Sequence, residues 1–421
     1  MHVKTLLYLV KYMWFSVSSG VLLLITLGWP VAIGLVDVEK PSDWGITKQA
    51  IAEVLTPSVR GHSLPEKLLI PDSKYEDELT VHYTLDRGLQ HEAQRLLKRY
   101  NPDYGIFVAI EPRSGRILAM AESSRDGLNH GNLSLSNTYP AASISKIITA
   151  VAAVNEDRAT GSTIIPFNGK SSSLYKKNVF RHKQNKWTRN LTLNESFAKS
   201  VNVVFGRLGA VDLGGQKMME YAYRLGFNQR FLSDFVFDNG YIELDIGDSW
   251  QVAEMASGYT TRNTLSPLHA AALSATAVNG GKLVTPVLVE SMVGPHGIPA
   301  YVHENPSYSE AMSESSAEQL KTMMQATIQK GSAKSSFRRF HRGDMAGVRV
   351  GGKTGSLTGF HPRGKYDWFV GFGEMEDRQI AYAVLCINKE KWYVKSSRFA
   401  REMMEFYFSP ETISQTADSM G

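Results

Sequence analysis

The chain has 421 residues, 43% hydrophobic and 21% charged, which excludes a disordered or low-complexity protein. Lys and Arg number 46 against 41 Asp and Glu, and a net charge of +5 over this length is too mild for a dedicated nucleic-acid binder. A single cysteine, Cys386, excludes a disulfide framework or a cysteine-built zinc cluster, and the histidines show no His-x-x-x-His spacing, so neither a metal nor a cofactor is expected.

Residues 12–36 carry no charge and exceed the ~20 residues that cross a bilayer. Lys4 and Lys11 precede them, and Asp37 and Glu39 follow. The charge bias predicts a short cytoplasmic tail (1–11), a transmembrane helix (12–36) and everything later on the outer side. The other reading is a cleaved signal peptide. Residues 37–78, mixed in Pro, Ser, Lys and Glu, read as a juxtamembrane linker with one short helix over 47–55. Residues 79–410 read as one compact unit, followed by a tail over 411–421.

That unit opens with an amphipathic helix carrying Leu89, Ala93, Leu96, Leu97 and Tyr100 at helical spacing. Strands over 105–111 and 115–120 follow, joined by a turn at Pro112-Arg113-Ser114-Gly115. The middle is mostly helical, for example over 193–208 and 267–279. Strands are expected at 348–350, 368–372 and 380–387, and a closing helix at 397–408 with Phe399, Met403 and Phe406 on one side. Strands at both ends with helices between imply an α/β fold whose sheet uses both ends of the unit.

Three short motifs lie on this frame: Ser143-Ile144-Ser145-Lys146, Ser200-Val201-Asn202 and Lys353-Thr354-Gly355. The Ser-x-x-Lys pattern also occurs at Ser173 and Ser196, but only Ser143 leads a strongly apolar helix (147–154). Ser196 lies too near Ser200 for a cleft between them. A serine needs a base to become a nucleophile, and three residues of helix bring Lys146 to Ser143. Ser145 points elsewhere. Lys146 must be partly neutral, which burial and a second cation, Lys353, would favour. Ser200 can relay a proton to a leaving amine, and the Asn202 amide can orient the lysine and a substrate carbonyl. Lys353 and Thr354 offer a cation and a hydroxyl to a carboxylate. Gly355 leaves room for a peptide, and the N–H groups of Ser356 and Ser143 would receive an oxyanion.

With these motifs in this order, the chain resembles the penicillin-binding proteins, active-site serine DD-transpeptidases. Residues 83–90, 111–120, 193–202, 353–356 and 367–371 resemble the transpeptidase domain of class A members most closely. The resemblance implies an antiparallel sheet flanked by helices plus a helical subdomain, with the active site in the cleft between them. It implies that Ser143 is acylated by a D-Ala-D-Ala stem peptide or a β-lactam. Lys146 is then the base, Ser200 the proton relay, Asn202 the positioning amide, and Lys353, Thr354, Gly355 and Ser356 the substrate contacts. An amine from a second stem peptide would accept the acyl group. The implied location is the bacterial cytoplasmic membrane, with the catalytic unit on its outer side. The ~40 residues before that unit leave no room for a glycosyltransferase or a class B pedestal, so a stripped transpeptidase with a separate glycan polymerase as partner is expected. A DD-carboxypeptidase, a β-lactamase and a β-lactam or muropeptide receptor without turnover are the alternatives. No Glu-x-x-Leu-Asn loop of the class A β-lactamases follows Asn202.

Residues 158–194 contain no acid but eight Lys or Arg, with Tyr175, Phe180 and Trp187 interleaved. Lys334, Arg338, Arg339 and Arg342 form a second basic run. Both read either as solvated loops or as a cationic rim of the cleft that attracts stem-peptide carboxylates or lipid pyrophosphate.

Overall fold

The computed structural model describes residues 42 and 44–413, apart from 128, 129, 182 and 305. The expected transmembrane helix and most of the C-terminal tail lie outside these residues. Among the described residues no helix is long and apolar enough to cross a membrane.

The chain begins with α1 (Lys48–Arg60), capped by Thr47, and runs through the short β1 (Lys67–Leu68) and β2 (Leu79–Tyr83). Next come α2 (Arg87–Tyr100), β3 (Tyr104–Ile110) and β4 (Ile117–Ser124), then α3 (Lys146–Asn155). The ribbon strands β5 (Ile164–Phe167) and β6 (Arg189–Thr192) flank the one-turn α4 (Lys176–Phe180). Helices α5 (Leu193–Ala198), α6 (Asn202–Arg207) and α7 (Gly214–Arg224) precede β7 (Tyr241–Ile242), α8 (Ser249–Ser257), β8 (Asn263–Thr264) and α9 (Pro267–Ala275). The short strands β9 (Lys282–Val284), β10 (Val289–Val293), β11 (Pro299–Val302) and β12 (Tyr308–Glu310) lead to α10 (Glu314–Gln329). The long strands β13 (Arg349–Phe360), β14 (Arg363–Met375) and β15 (Arg378–Asn388) and the helix α11 (Ser396–Tyr407) close the fold.

The main sheet has five antiparallel strands in the order β13-β14-β15-β3-β4, so it does use strands from both ends of the unit. Alternation along its strands builds two cores. Val108, Ile110, Trp368, Val370, Ala383 and Leu385 join α3, α9 and α10 on one face. Phe107, Ala109, Phe369, Tyr382, Val384 and Cys386 meet α2 and α11 on the other. Leu89, Ala93, Leu96 and Leu97 of α2 lie in that second core, as their spacing predicts. The turn before β4 holds Gly115 at φ +78°, where a Cβ would collide with the Thr285 carbonyl. The strands of the hairpin β13–β14 run several residues past their expected ends. Helices α3, α6, α7 and α8 pack together as a helical subdomain beside the sheet.

Two expectations fail for physical reasons. The segment read as a linker is folded over its described part: Ile46, Ile51, Leu55, Val59 and Ile70 are buried in the main core, and β1 pairs with β2, which pairs with β10. The helix expected over 193–208 is broken. Ser200 sits at φ +54°, its N–H donates to the Phe197 carbonyl, and the Val201 N–H donates to Ser196. This is a Schellman-type stop with serine where glycine is usual.

Candidate active site

Ser143 lies in a tight 3-10 turn over Ala142–Ser145 that feeds directly into α3. Ala142 is held at φ +49°. Behind the turn stands Gly258, the left-handed cap of α8, where a Cβ would strike the Ala142 carbonyl. In front, the missing side chain of Gly355 makes space for Ile144, 3.2 Å from where its Cβ would be. Gly355 therefore seats the serine turn against β13; this differs from the expected role of leaving room for a peptide.

Lys146, the first residue of α3, is completely buried. Its Nζ lies 2.9 Å from Ser143 Oγ and 2.7 Å from Asn202 Oδ1, and it donates to the Ser257 carbonyl. The Asn202 amide is oriented by its other end, where Nδ2 donates to the Ser172 carbonyl at 2.9 Å. Burial first, and the charge of Lys353 second, hold Lys146 well below the usual lysine range. The neutral amine fits its surroundings atom for atom. Its two N–H groups match two oxygens that can only accept, and its lone pair faces the one hydroxyl that can donate.

Lys353 is also fully buried, in the middle of β13, and burial lowers its pKa to about 7. Its Nζ donates to Ser200 Oγ at 3.0 Å and to the Thr354 carbonyl at 2.8 Å. The break between α5 and α6 puts Ser200 there: a continued helix would not place both Ser200 on Lys353 and Asn202 on Lys146. The Thr354 hydroxyl pairs with Ser332 Oγ at 2.6 Å. Ser356 follows Gly355 on β13, opposite Asp367 in the ladder, and is exposed.

The structure thus brings the site residues into two hydrogen-bonded sets, Ser143–Lys146–Asn202 and Ser200–Lys353–Thr354, joined along the chain from Ser200 to Asn202, with Gly355 and Ser356 next to Thr354 on β13. The other Ser-x-x-Lys serines stay apart. The Ser196 hydroxyl is buried without a hydrogen-bond partner, and Ser173 bonds its own loop at Lys170. Ser145 is buried and accepts from Asn263 Nδ2 at 3.1 Å. Sequence reasoning missed Ser257, Gly258 and Ser332. Glycine after an apolar helix could have marked the α8 cap, but a backbone carbonyl such as that of Ser257 leaves no signature in residue type. Among the described residues no group of acids, His and Cys could hold a metal ion.

Residues 105–405 match the family model described as the penicillin binding protein transpeptidase domain. The chain belongs to this family. Stage V sporulation protein D of Bacillus subtilis is 25% identical over 342 residues, covering 76% of this chain and 50% of that protein. Peptidoglycan D,D-transpeptidase PbpA of Mycolicibacterium smegmatis is 28% identical over 323 residues, covering 68% of this chain and 62% of that protein. The chain thus spans half to just under two thirds of the length of these relatives. Among solved structures, PBPA from Mycobacterium tuberculosis shares the fold with a TM-score of 0.64 at 23% identity, over 79% of this chain and 83% of that one. The ceftriaxone acyl-enzyme complex of penicillin-binding protein A from M. tuberculosis gives 0.63 at 23% identity, over 78% and 80%. The fold is the penicillin-binding transpeptidase fold. The expected closeness to class A members finds no support in these relatives, and the class B type fits better.

Proposed function

We propose that this penicillin-binding protein is a peptidoglycan DD-transpeptidase of the class B type, acting through a Ser143 acyl-enzyme. The observation that carries the reading is the pairing of a buried, proton-poor Lys146 with Ser143 Oγ at 2.9 Å. PbpA relatives bear the name peptidoglycan D,D-transpeptidase, and a neighbouring structure is described as a β-lactam acyl-enzyme, which supports the same chemistry here.

In this reading each residue of the site has a task. A stem peptide lies along β13 with its terminal carboxylate at Lys353 and the Thr354 hydroxyl. Lys146 takes the Ser143 hydroxyl proton as Oγ bonds to the penultimate D-Ala carbonyl carbon. The developing oxyanion is received by the Ser143 and Ser356 N–H groups. Ser200, bonded to Lys353, hands its proton to the departing D-Ala nitrogen as the C–N bond breaks, and Lys353 resupplies Ser200. An amine from a second stem peptide then attacks the ester carbonyl and gives up a proton through Ser200 to Lys353, restoring its charge, and Ser143 recovers its own proton from Lys146 as the ester C–O bond breaks. A β-lactam enters as the donor but leaves no group that diffuses away, so the adduct persists. The segment 12–36 anchors the chain in the cytoplasmic membrane with the site on the outer side, and a separate glycan polymerase supplies the strands.

The test is labelling with fluorescent penicillin. Wild type forms a long-lived adduct, Ser143→Ala forms none, and Lys146→Ala acylates ~10²–10⁴-fold more slowly, the usual cost of losing a general base. An adduct lost in seconds would indicate a β-lactamase. With a stem-peptide donor and an acceptor amine, cross-linked product is expected. Exclusive release of D-Ala to water would indicate a carboxypeptidase, and a stable adduct without any peptide turnover a receptor.

A further inference from the structure

The acid-free stretch of the sequence forms a shelf between β5 and β6, which pair as a ribbon from Ile164↔Thr192 to Phe167↔Arg189. Two apolar side chains anchor it. Leu174 and Val179 are buried in the main core, and Leu174 packs where a Cβ on Gly206 of α6 would fall, 2.9 Å away. Polar staples close it: Asn168 Nδ2 donates to the Lys183 carbonyl at 2.9 Å, Asn178 Nδ2 donates to the Asn168 carbonyl at 3.2 Å, and Arg189 donates to the Gly169 carbonyl. With the anchors turned inward, Lys170, Lys176, Lys177, Arg181, Lys183 and Lys186 are all exposed. Among the described residues none of these six makes a direct ion pair, although Lys176 Nζ lies 5.4 Å from the Trp250 ring and its charge reaches Asp248. Trp187 stands 74% exposed beside Lys186, whose Nζ is 5.2 Å from its ring.

The shelf is wired to the nucleophile. Its base accepts twice from Asn202: the N–H donates to the Ser171 carbonyl at 2.8 Å and the side chain to Ser172. From Ser172 the path to Ser143 passes only through Asn202 and Lys146. The exposed cations therefore flank a direct contact with the site, Lys170 two residues before Ser172 and Lys176 four after it. The second basic run does not share this position. Its first contact, Ser332, touches Thr354, but Phe337 and Phe340 are buried in the second core, and Arg401 of α11 donates to the Arg338 carbonyl. Those arginines belong to the α11 side.

We propose that the shelf over 170–189 is a binding site for the anionic stem carboxylates of a peptidoglycan strand, with Trp187 offering its face to a sugar ring. This rests on the transpeptidase reading and names the stem carboxylates other than the terminal one placed at Lys353, which the cleft residues do not touch. Rows of exposed, unpaired cations attract polyanions at range, and the attraction is screened by salt. A rigid attachment to α6 suits a ligand whose reacting end must reach Ser143. A membrane surface would make no such demand.

The experiment compares full-length wild type with Lys176→Gln, Lys177→Gln, Arg181→Gln, Lys183→Gln combined, and with a charge-keeping set, Lys176→Arg, Lys177→Arg, Arg181→Lys, Lys183→Arg. The probe is purified insoluble peptidoglycan, in co-sedimentation at about 0.02 M and about 0.3 M salt, on either side of the ionic strength where the Debye length is about 10 Å. Four exposed contacts of ordinary strength predict roughly tenfold weaker binding for the Gln set at low salt, with the difference shrinking at high salt. The charge-keeping set is expected to bind like wild type, and fluorescent penicillin to acylate all three proteins equally. Normal acylation with unaltered sedimentation of the Gln set at low salt overturns the proposal alone. So does a loss seen only on anionic lipid vesicles. A wild type that no β-lactam acylates overturns instead the reading beneath it, and that arm is independent of the sedimentation.

Discussion

The chemistry of the site turns on two fully buried lysines, neither of which pairs with a carboxylate among the described residues. Both side chains are fully buried, so desolvation and mutual repulsion drive a proton off. Lys146 is the one that loses it, since burial and the charge of Lys353 both press on it, while burial alone presses on Lys353. A pH dependence follows. Lys353 titrates at about 7 in the free protein, so it carries its charge below that value and loses it above. A carboxylate on the ligand is attracted only by the charged form. Acylation by a penicillin, measured against its methyl ester, is expected to fall severalfold between about pH 6 and about pH 9, because only the acid benefits from the cation. A constant ratio across that range would show that Lys353 does not hold the carboxylate. At this scale the sequence was most informative. The chemistry needs particular side chains at particular spacings, and Ser143, Lys146, Ser200, Asn202, Lys353 and Thr354 were readable as such. The Ser257 carbonyl, which takes one of the two Lys146 N–H groups, was not.

At the scale of the element, the decisive feature is the stop between α5 and α6. Apolar periodicity runs through 193–208 without a gap, so a single helix was the natural reading. The chain instead spends the cost of a left-handed serine, about 1–2 kcal/mol, to aim Ser200 at Lys353 and start α6 on Asn202. That geometry separates fold from function. Ser200→Gly keeps the left-handed stop, and glycine is at home there, so thermal stability is expected to stay level or rise slightly. The hydroxyl is lost, so stem-peptide turnover is expected to fall by at least ~10²-fold. A variant with wild-type turnover would remove Ser200 from the proton path. The strands were legible as apolar runs, but the lengths of β13 and β14 were not. Gly351, Gly352, Gly355 and Gly359 dilute the pattern along β13, although each makes room for a neighbouring side chain.

At the scale of the molecule, the catalytic sheet and the helical subdomain are accompanied by a segment whose composition looked like a tether. Its charges and prolines mask a one-sided apolar set, Ile51, Leu55 and Val59, that α1 turns into the main core. The sequence shows amphipathicity there only if the helix continues to Arg60, through Pro57 in its last turns. Leu55→Ala is expected to cost about 2–5 kcal/mol in denaturant unfolding, as for other fully buried leucines. A loss near zero would mean that residues 48–60 only rest on the domain. The same core supports α3 and α10, so α1 contributes to the platform on which Ser143 and Lys353 meet.

The most direct test of the account is to locate the covalent adduct. The protein is incubated with penicillin, digested and mapped by peptide mass spectrometry. The penicilloyl group is expected on Ser143 alone, and to be absent when Lys146 is replaced by Ala at short reaction times. An adduct on Ser145, Ser173 or Ser196, or equally rapid acylation without Lys146, would contradict the claim that a neutral Lys146 activates Ser143.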